Sequence, residues 1–118
     1  MQQRLALLKD AGVISQIAHD GTVKAVELLV SKWQLDTSTE QLQLAMTHLA
    51  RATDRILSGE PIEHGLDEEL LAEITSDDDF PVIEATNNTI LDGFGIEQAP
   101  DTENSFFLCN LFSLYCAK

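Results

Sequence analysis

The segment Leu42–Ser58, LQLAMTHLARATDRILS, shows the clearest helical pattern in the chain. Apolar or small side chains return every three or four residues and therefore lie on one face of an α-helix. These positions are Leu42, Ala45, Met46, Leu49, Ala52, Thr53 and Ile56. Two capping boxes are available at its start, Thr37 with Glu40 and Ser38 with Gln41. Gly59 and Pro61 predict that the helix ends at Ser58.

Helical patterns occupy most of the remaining chain. Their predicted ranges are Met1–Asp10, Thr22–Trp33, Glu68–Thr75, Pro81–Gly93 and Thr102–Ala117. The polar run His19-Asp20-Gly21 is expected to interrupt the chain before the second of these. Within the last range, Phe106–Tyr115 is apolar on almost every side, which predicts burial on both sides, centrally or against another subunit. Because no segment alternates apolar and polar residues, we predict an all-α compact bundle of about five main helices.

The length of 118 residues, without an obvious linker, predicts one helical domain over residues 1–118. Residues 1–21 are expected to form a short N-terminal helical extension, and residues 22–117 the core bundle. No apolar run approaches the roughly 20 residues needed to cross a bilayer, and the first residues lack a secretory signal pattern. These features predict a cytoplasmic protein without a membrane partner.

The net charge of −13 is distributed unevenly along the chain. Through Arg55, six basic residues balance six acidic ones, whereas from Ile56 onward fourteen acidic residues face only Lys118. An acidic surface of this kind repels a phosphate backbone, so direct nucleic-acid binding is not expected. The charge pattern favours a protein partner.

Metal and catalytic motifs are absent from the sequence. Cys109 and Cys116 are seven residues apart in a predicted helix, about 10 Å along its axis, which is too far for a disulfide. We expect both to be small buried residues. The remaining candidates are His19-Asp20, His64 with Glu63 or Glu60, and Asp77-Asp78-Asp79, none of which has zinc or EF-hand spacing. The sequence therefore predicts no metal, no cofactor and no enzymatic activity, and a small ligand- or metal-binding enzyme is the weakest alternative.

His48 is the residue that points to chemistry. On a helical wheel it lies on the flank of the apolar stripe together with Leu44 and Arg55, and Arg51 lies beside them. Guanidinium groups bind phosphoryl oxygens bidentately, so a flanking imidazole with Arg51 and Arg55 nearby is a workable phosphoryl acceptor. Geometry alone leaves open that His48 is a polar boundary residue of the helix.

The spacing around this histidine resembles the PTS regulation domain, or PRD. The matching features are the His48-Leu49 pair, Arg55 seven residues after the histidine, and then Gly59 and Ile62. Leu70–Ile74, Phe80 and Ala85 extend the resemblance, which covers residues 22–117. It implies a five-helix, usually dimeric bacterial transcription regulator of the antiterminator-like class, controlled by histidine phosphorylation. The implied phosphoryl donor is the phosphocarrier or a permease domain of the sugar phosphotransferase system.

Two departures from the PRD pattern shape the functional prediction. Thr47 stands where the family commonly has aspartate before its first histidine. Asn110 lies seven residues after Glu103, at the position of the family's second histidine, and an amide cannot accept a phosphoryl group. His48 is therefore the single predicted acceptor, with Arg51 and Arg55 as phosphoryl-binding residues.

The predicted output is contact with a regulatory protein, because 118 residues leave no room for the nucleic-acid-binding domain that family members usually carry. A homodimer is expected from the resemblance and from the apolar last helix. The alternative is a non-phosphorylated helical dimerisation or adaptor module whose acidic second half binds a protein partner.

Overall fold

Six α-helices and no β-strand make up the computed structural model, which describes all 118 residues. The helices are α1 (Gln2–Asp10), α2 (Gln16–Trp33), α3 (Glu40–Leu57), α4 (Glu68–Thr75), α5 (Phe80–Gly93) and α6 (Asp101–Ala117). The all-α class and the bundle of about five main helices are confirmed, with α1 as the additional short helix. None of the six helices has the length and apolar character needed to cross a bilayer.

The main core lies between α2, α3, α5 and α6. Helix α2 packs against α3 and α5, and α6 packs against α3, α4 and α5. The predicted stripe of α3 faces this core, where Leu42, Met46 and Leu49 are buried. The period of the LQLAMTHLARATDRILS segment thus orients α3 correctly, and the opposite flank is left for solvent.

Helix α2 is longer than predicted, because His19-Asp20-Gly21 does not interrupt it. Ser15 caps its start by accepting the Ala18 N–H at 3.1 Å. Gly21 lies inside the helix and is buried, and a Cβ added there would lie 2.2 Å from Cδ1 of Phe94. The glycine is therefore required by the packing of an aromatic ring from after α5, and it does not break the helix.

The predicted boundary between residues 21 and 22 falls inside α2, so residues 1–21 are not a separate extension. A second apolar cluster joins the beginning of the chain to α3, and its buried members are Leu5, Ile14, Ala18 and Ala50. The α1–α2 connection is also held to α3, since Asp54 accepts the Ser15 N–H at 2.8 Å and the Ser15 hydroxyl.

The start of α3 is capped by Thr39, so neither predicted capping box forms. The Thr39 hydroxyl accepts the Leu42 N–H at 3.3 Å. Ser38 instead donates its hydroxyl at 2.7 Å and its N–H at 2.9 Å to the Asp36 carboxylate. These bonds, the hydroxyl first, lower the pKa of the Asp36 carboxyl and hold the turn that places Thr39 at the cap.

Helix α6 is buried on one side only within the chain, so it is not the central helix of the bundle, and burial of its other side against another subunit stays a prediction. Phe107, Leu108, Leu111 and Leu114 face the core. Phe106 is 37% exposed on the other side. The prediction that both cysteines are buried is also wrong, because Cys109 is half-buried and Cys116 is exposed, and both are free.

Gly21→Ala should destabilise the fold by about 1–3 kcal/mol, because the methyl group overlaps the Phe94 ring. Urea unfolding followed by circular dichroism measures this. Gly93→Ala is the matched control, since the nearest atom to its added Cβ is Lys24 Cδ at 4.0 Å. Combining Gly21→Ala with Phe94→Leu should cost less than the sum of the two single changes, and strict additivity would contradict the overlap.

Candidate functional site

An ion pair between α3 and α6 organises the candidate site. Arg55 donates from Nε to Glu103 Oε2 and from Nη2 to Glu103 Oε1, both at 2.9 Å. The Glu103 side chain is 1% exposed, whereas that of Arg55 is 40% exposed. The paired carboxylate raises the pKa of Arg55, so this guanidinium stays charged. A buried carboxylate in this two-bond arrangement fixes the position of one helix against the other.

The same end of α6 holds the connection between α3 and α4. Glu103 Oε2 also accepts the Ile62 N–H at 3.3 Å, and Ser105 Oγ accepts the Leu66 N–H at 2.9 Å. A Cβ on Gly65 would lie 2.9 Å from Ser105 Oγ and 3.2 Å from Thr102 Cα. The connection therefore lies close against α6, and side chains of α6 accept backbone N–H groups that have no partner in a helix or strand.

Helices α3 and α6 run antiparallel, in a register set by the ion pair between Arg55 and Glu103. Arg55 meets Glu103 at one end of the interface, and at the other end Leu42 and Leu114 line a common cleft. Seven residues back from Arg55 is His48, and seven residues on from Glu103 is Asn110. Seven residues span about 10.5 Å of either helix, so the register places His48 opposite Asn110.

Two clefts meet at this position. The larger, of about 390 Å³, is lined by His48, Ala52, Arg55, Ile62, Glu103, Phe106, Phe107 and Asn110. The second, of about 320 Å³, is lined by Gln41, Leu44, Ala45, His48, Asn110 and Ser113. His48 and Asn110 are the only residues common to both clefts. The exposed imidazole thus lies between two concave surfaces, with an amide from α6 across from it.

The two arginines predicted to bind a phosphoryl group are in different situations. Arg55 lines the larger cleft, but its Nε and Nη2 atoms are bonded to Glu103. Arg51 is exposed one turn after His48, lines neither cleft, and is in neither of the two ion pairs of the protein. Arg51 is therefore the free guanidinium beside His48, whereas Arg55 is held two turns away.

Two further sequence features are clarified by the structure. Thr47 donates its hydroxyl to the Gln43 carbonyl at 2.8 Å, so it does not orient the imidazole of His48. Glu103 was identified only as a spacing marker before Asn110, and its role as the partner of Arg55 was missed. The signal that could have found it is the repeated spacing of seven, histidine to arginine in α3 and glutamate to asparagine in α6.

The other two histidines lie outside this site. His19 Nδ1 is 2.9 Å from Asp20 Oδ1, which also accepts Gln16 Nε2 at 2.7 Å. These bonds, His19 first, lower the pKa of Asp20. His64 is exposed in the connection between α3 and α4. No group of three or more histidine, cysteine, aspartate or glutamate side chains converges on a metal position.

The Escherichia coli (strain K12) protein described as "Uncharacterized protein YhfY" is 37% identical to this chain over 117 residues. The match covers 99% of this chain and 96% of that protein. The chain belongs to the YhfY family. No known family model matches it, and no solved structure matches it. Because the similarity to YhfY extends over nearly the whole of both proteins, we expect the six-helix bundle to be the fold of the YhfY family.

In this YhfY-family chain, Arg55→Ala should lower the free energy of unfolding by about 3 kcal/mol, because it leaves the Glu103 carboxylate buried without a countercharge. Glu103→Gln should cost about 1 kcal/mol, since the amide still accepts the Ile62 N–H and Arg55 is solvated. Urea unfolding of the two single variants and the double variant measures the coupling.

The control for this cycle is Arg51→Ala, which removes an exposed guanidinium of the same helix. It should change the free energy of unfolding by less than about 0.5 kcal/mol. An Arg55→Ala variant as stable as Arg51→Ala would contradict the structural role of the ion pair.

Proposed function

We propose that this chain is a PRD-like transcription-regulatory module that responds to the sugar phosphotransferase system. His48 is the phosphoryl acceptor, and the output is contact with another protein. The observation that carries the proposal is the position of His48, exposed on the α3 flank between two clefts, with the free Arg51 guanidinium one turn away. The resemblance of the His48–Ile62 segment to the PRD motif implies that the phosphoryl donor is the phosphocarrier or a permease domain of that system.

The transfer step needs little from this chain beyond an accessible imidazole. An unprotonated ring nitrogen of His48 attacks the phosphorus of the donor phosphohistidine, and the donor nitrogen leaves with the electron pair of the broken N–P bond. The proton on the other ring nitrogen of His48 stays in place. Arg51, on the solvent side of His48, is available to bind the phosphoryl oxygens as the donor approaches.

Phosphorylation of His48 changes the surface that a partner would contact. The clefts are bordered by exposed apolar side chains, Leu44 at 42% and Phe106 at 37% exposure. A phosphoryl group adds about two negative charges beside them. A partner that buries Leu44 and Phe106 would have to desolvate that charge, so the two states differ in affinity. We propose a second copy of the chain or a regulatory protein as this partner, and no direct nucleic-acid contact.

Incubating the chain with phosphotransferase carriers and labelled phosphoenolpyruvate should place label on His48. His48→Gln should abolish the label, because glutamine keeps a polar side chain but has no nucleophilic nitrogen. His19→Gln and His64→Gln are the matched controls and should label as the unaltered chain does, since both histidines lie outside the α3–α6 clefts.

An unlabelled chain, tested with carriers that label a known acceptor, would overturn the proposed phosphorylation. Label that survives His48→Gln would overturn His48 as the acceptor and assign that role to another histidine. Sedimentation velocity of the two states measures whether phosphorylation changes self-association.

The adaptor alternative is favoured by one observation, the exposed face of α4. This helix packs against α6, leaves Leu70 41% exposed, and has the exposed acids Glu69 and Glu73 on either side of it in sequence. Such a face suits a basic, partly apolar protein surface. The labelling experiment separates the two functions, because an adaptor takes no label at His48.

A further inference from the structure

A phosphoryl group on His48 needs hydrogen-bond donors, and the structure limits which side chains can supply them. Arg55 lies two turns from His48, about 10.5 Å along α3, with two of its nitrogens bonded to Glu103. Arg51 is on the solvent side and lines neither cleft. Any hydrogen bond to the phosphoryl oxygens from the cleft side must therefore come from a residue other than the two arginines.

Asn110 is the residue in position to supply this donor. It belongs to α6, lies opposite His48 in the antiparallel register, and is the one other residue that lines both clefts. The hydrogen bonds of the α6 side chains near this site are made by Glu103, Asn104 and Ser105, and the Asn110 amide forms none within the protein. Asn110 is half-buried beside His48 at the two clefts, and its amide carries two N–H donors.

We propose that Asn110 is a positioning residue that donates its amide N–H to the phosphoryl oxygens of phosphorylated His48. The inference rests on the proposed function and adds a binding role for an α6 residue. A neutral donor suits this place, because the larger cleft already contains the neutralised pair of Arg55 and Glu103. The amide holds the phosphoryl group without being able to accept it, so the group stays on His48.

The charge of the side chain at position 110 makes the idea testable. Asn110→Asp keeps the shape but replaces two N–H donors with a carboxylate, which repels the phosphoryl dianion. Ser113→Asp is the matched control, because it adds the same charge one turn further along α6 at the border of the smaller cleft. A direct contact and a general electrostatic effect are thereby separated.

The experiment uses the full chain with His19→Gln and His64→Gln, so that His48 is the only histidine, and phosphorylates it chemically with phosphoramidate. The ring nitrogen attacks phosphorus, the P–N bond of phosphoramidate breaks, and ammonia leaves and takes up the proton released. ³¹P NMR then follows the titration of the phosphohistidine against pH. The side-chain amide resonances of Asn110 are recorded before and after phosphorylation.

A hydrogen bond from Asn110 to the phosphoryl oxygens stabilises the more negatively charged form of the phosphohistidine and lowers its pKa. We therefore expect the titration midpoint to rise by about half a pH unit in Asn110→Ala, and further in Asn110→Asp. Ser113→Asp should raise it by less than Asn110→Asp does. In the chain that keeps Asn110, its amide resonances should move on phosphorylation.

Equal midpoints with and without Asn110, or unmoved Asn110 amide resonances, would overturn the role of Asn110. A His48 that phosphoramidate does not modify would overturn it as well. Because phosphoramidate needs no protein donor, a failure of labelling by the phosphotransferase carriers is a separate result that overturns the proposed function. Thermal unfolding of each unphosphorylated variant shows that the compared chains are folded.

Discussion

The ion pair between Arg55 and Glu103 is the interaction on which the site depends. Burying a carboxylate costs free energy unless it is paired and hydrogen-bonded. The Glu103 side chain, 1% exposed, accepts two guanidinium N–H groups and the Ile62 N–H. One contact thereby fixes the register of α6 against α3 and holds the chain that leaves α3. Since the planar guanidinium binds the carboxylate at two points, it fixes orientation as well as distance, which a lysine could not do.

This arrangement changes what the residues around His48 can do. In the sequence, Arg51 and Arg55 appear equivalent, as two cations after a histidine. In the fold, Arg55 neutralises a buried acid, and Arg51 alone remains free at the surface. The opposite wall of the site comes from α6, where Asn110 faces the histidine from the clefts. A phosphoryl site on this surface would therefore be built by two helices, although its sequence motif lies on one.

The acidic residues are unevenly distributed along the chain. The net charge of −13 comes from the part of the chain after Arg55, whereas His48 lies in the balanced part. A phosphoryl group on His48 would add about two negative charges to this segment, whose own charges balance. Exposed Leu44 and Phe106 at the same surface provide the apolar contact that such a charge would oppose.

Local sequence patterns predict six helical segments, except for the start of α2, and the face that α3 turns to the core, because a period of 3.6 residues is a local property of the chain. The α4 bounds, the α5 end at Gly93 and the buried stripe from Leu42 to Thr53 follow from that period and from local capping and breaking residues. The Thr39 cap was missed because three successive hydroxyl residues can each cap, and the Asp36–Ser38 turn selects among them. The close packing of the Phe94 ring on Gly21, and the meeting of the two spacings of seven across an antiparallel interface, are visible only in the folded chain. Both depend on which distant segments come into contact, and that is set by packing of the whole core, which no local pattern encodes.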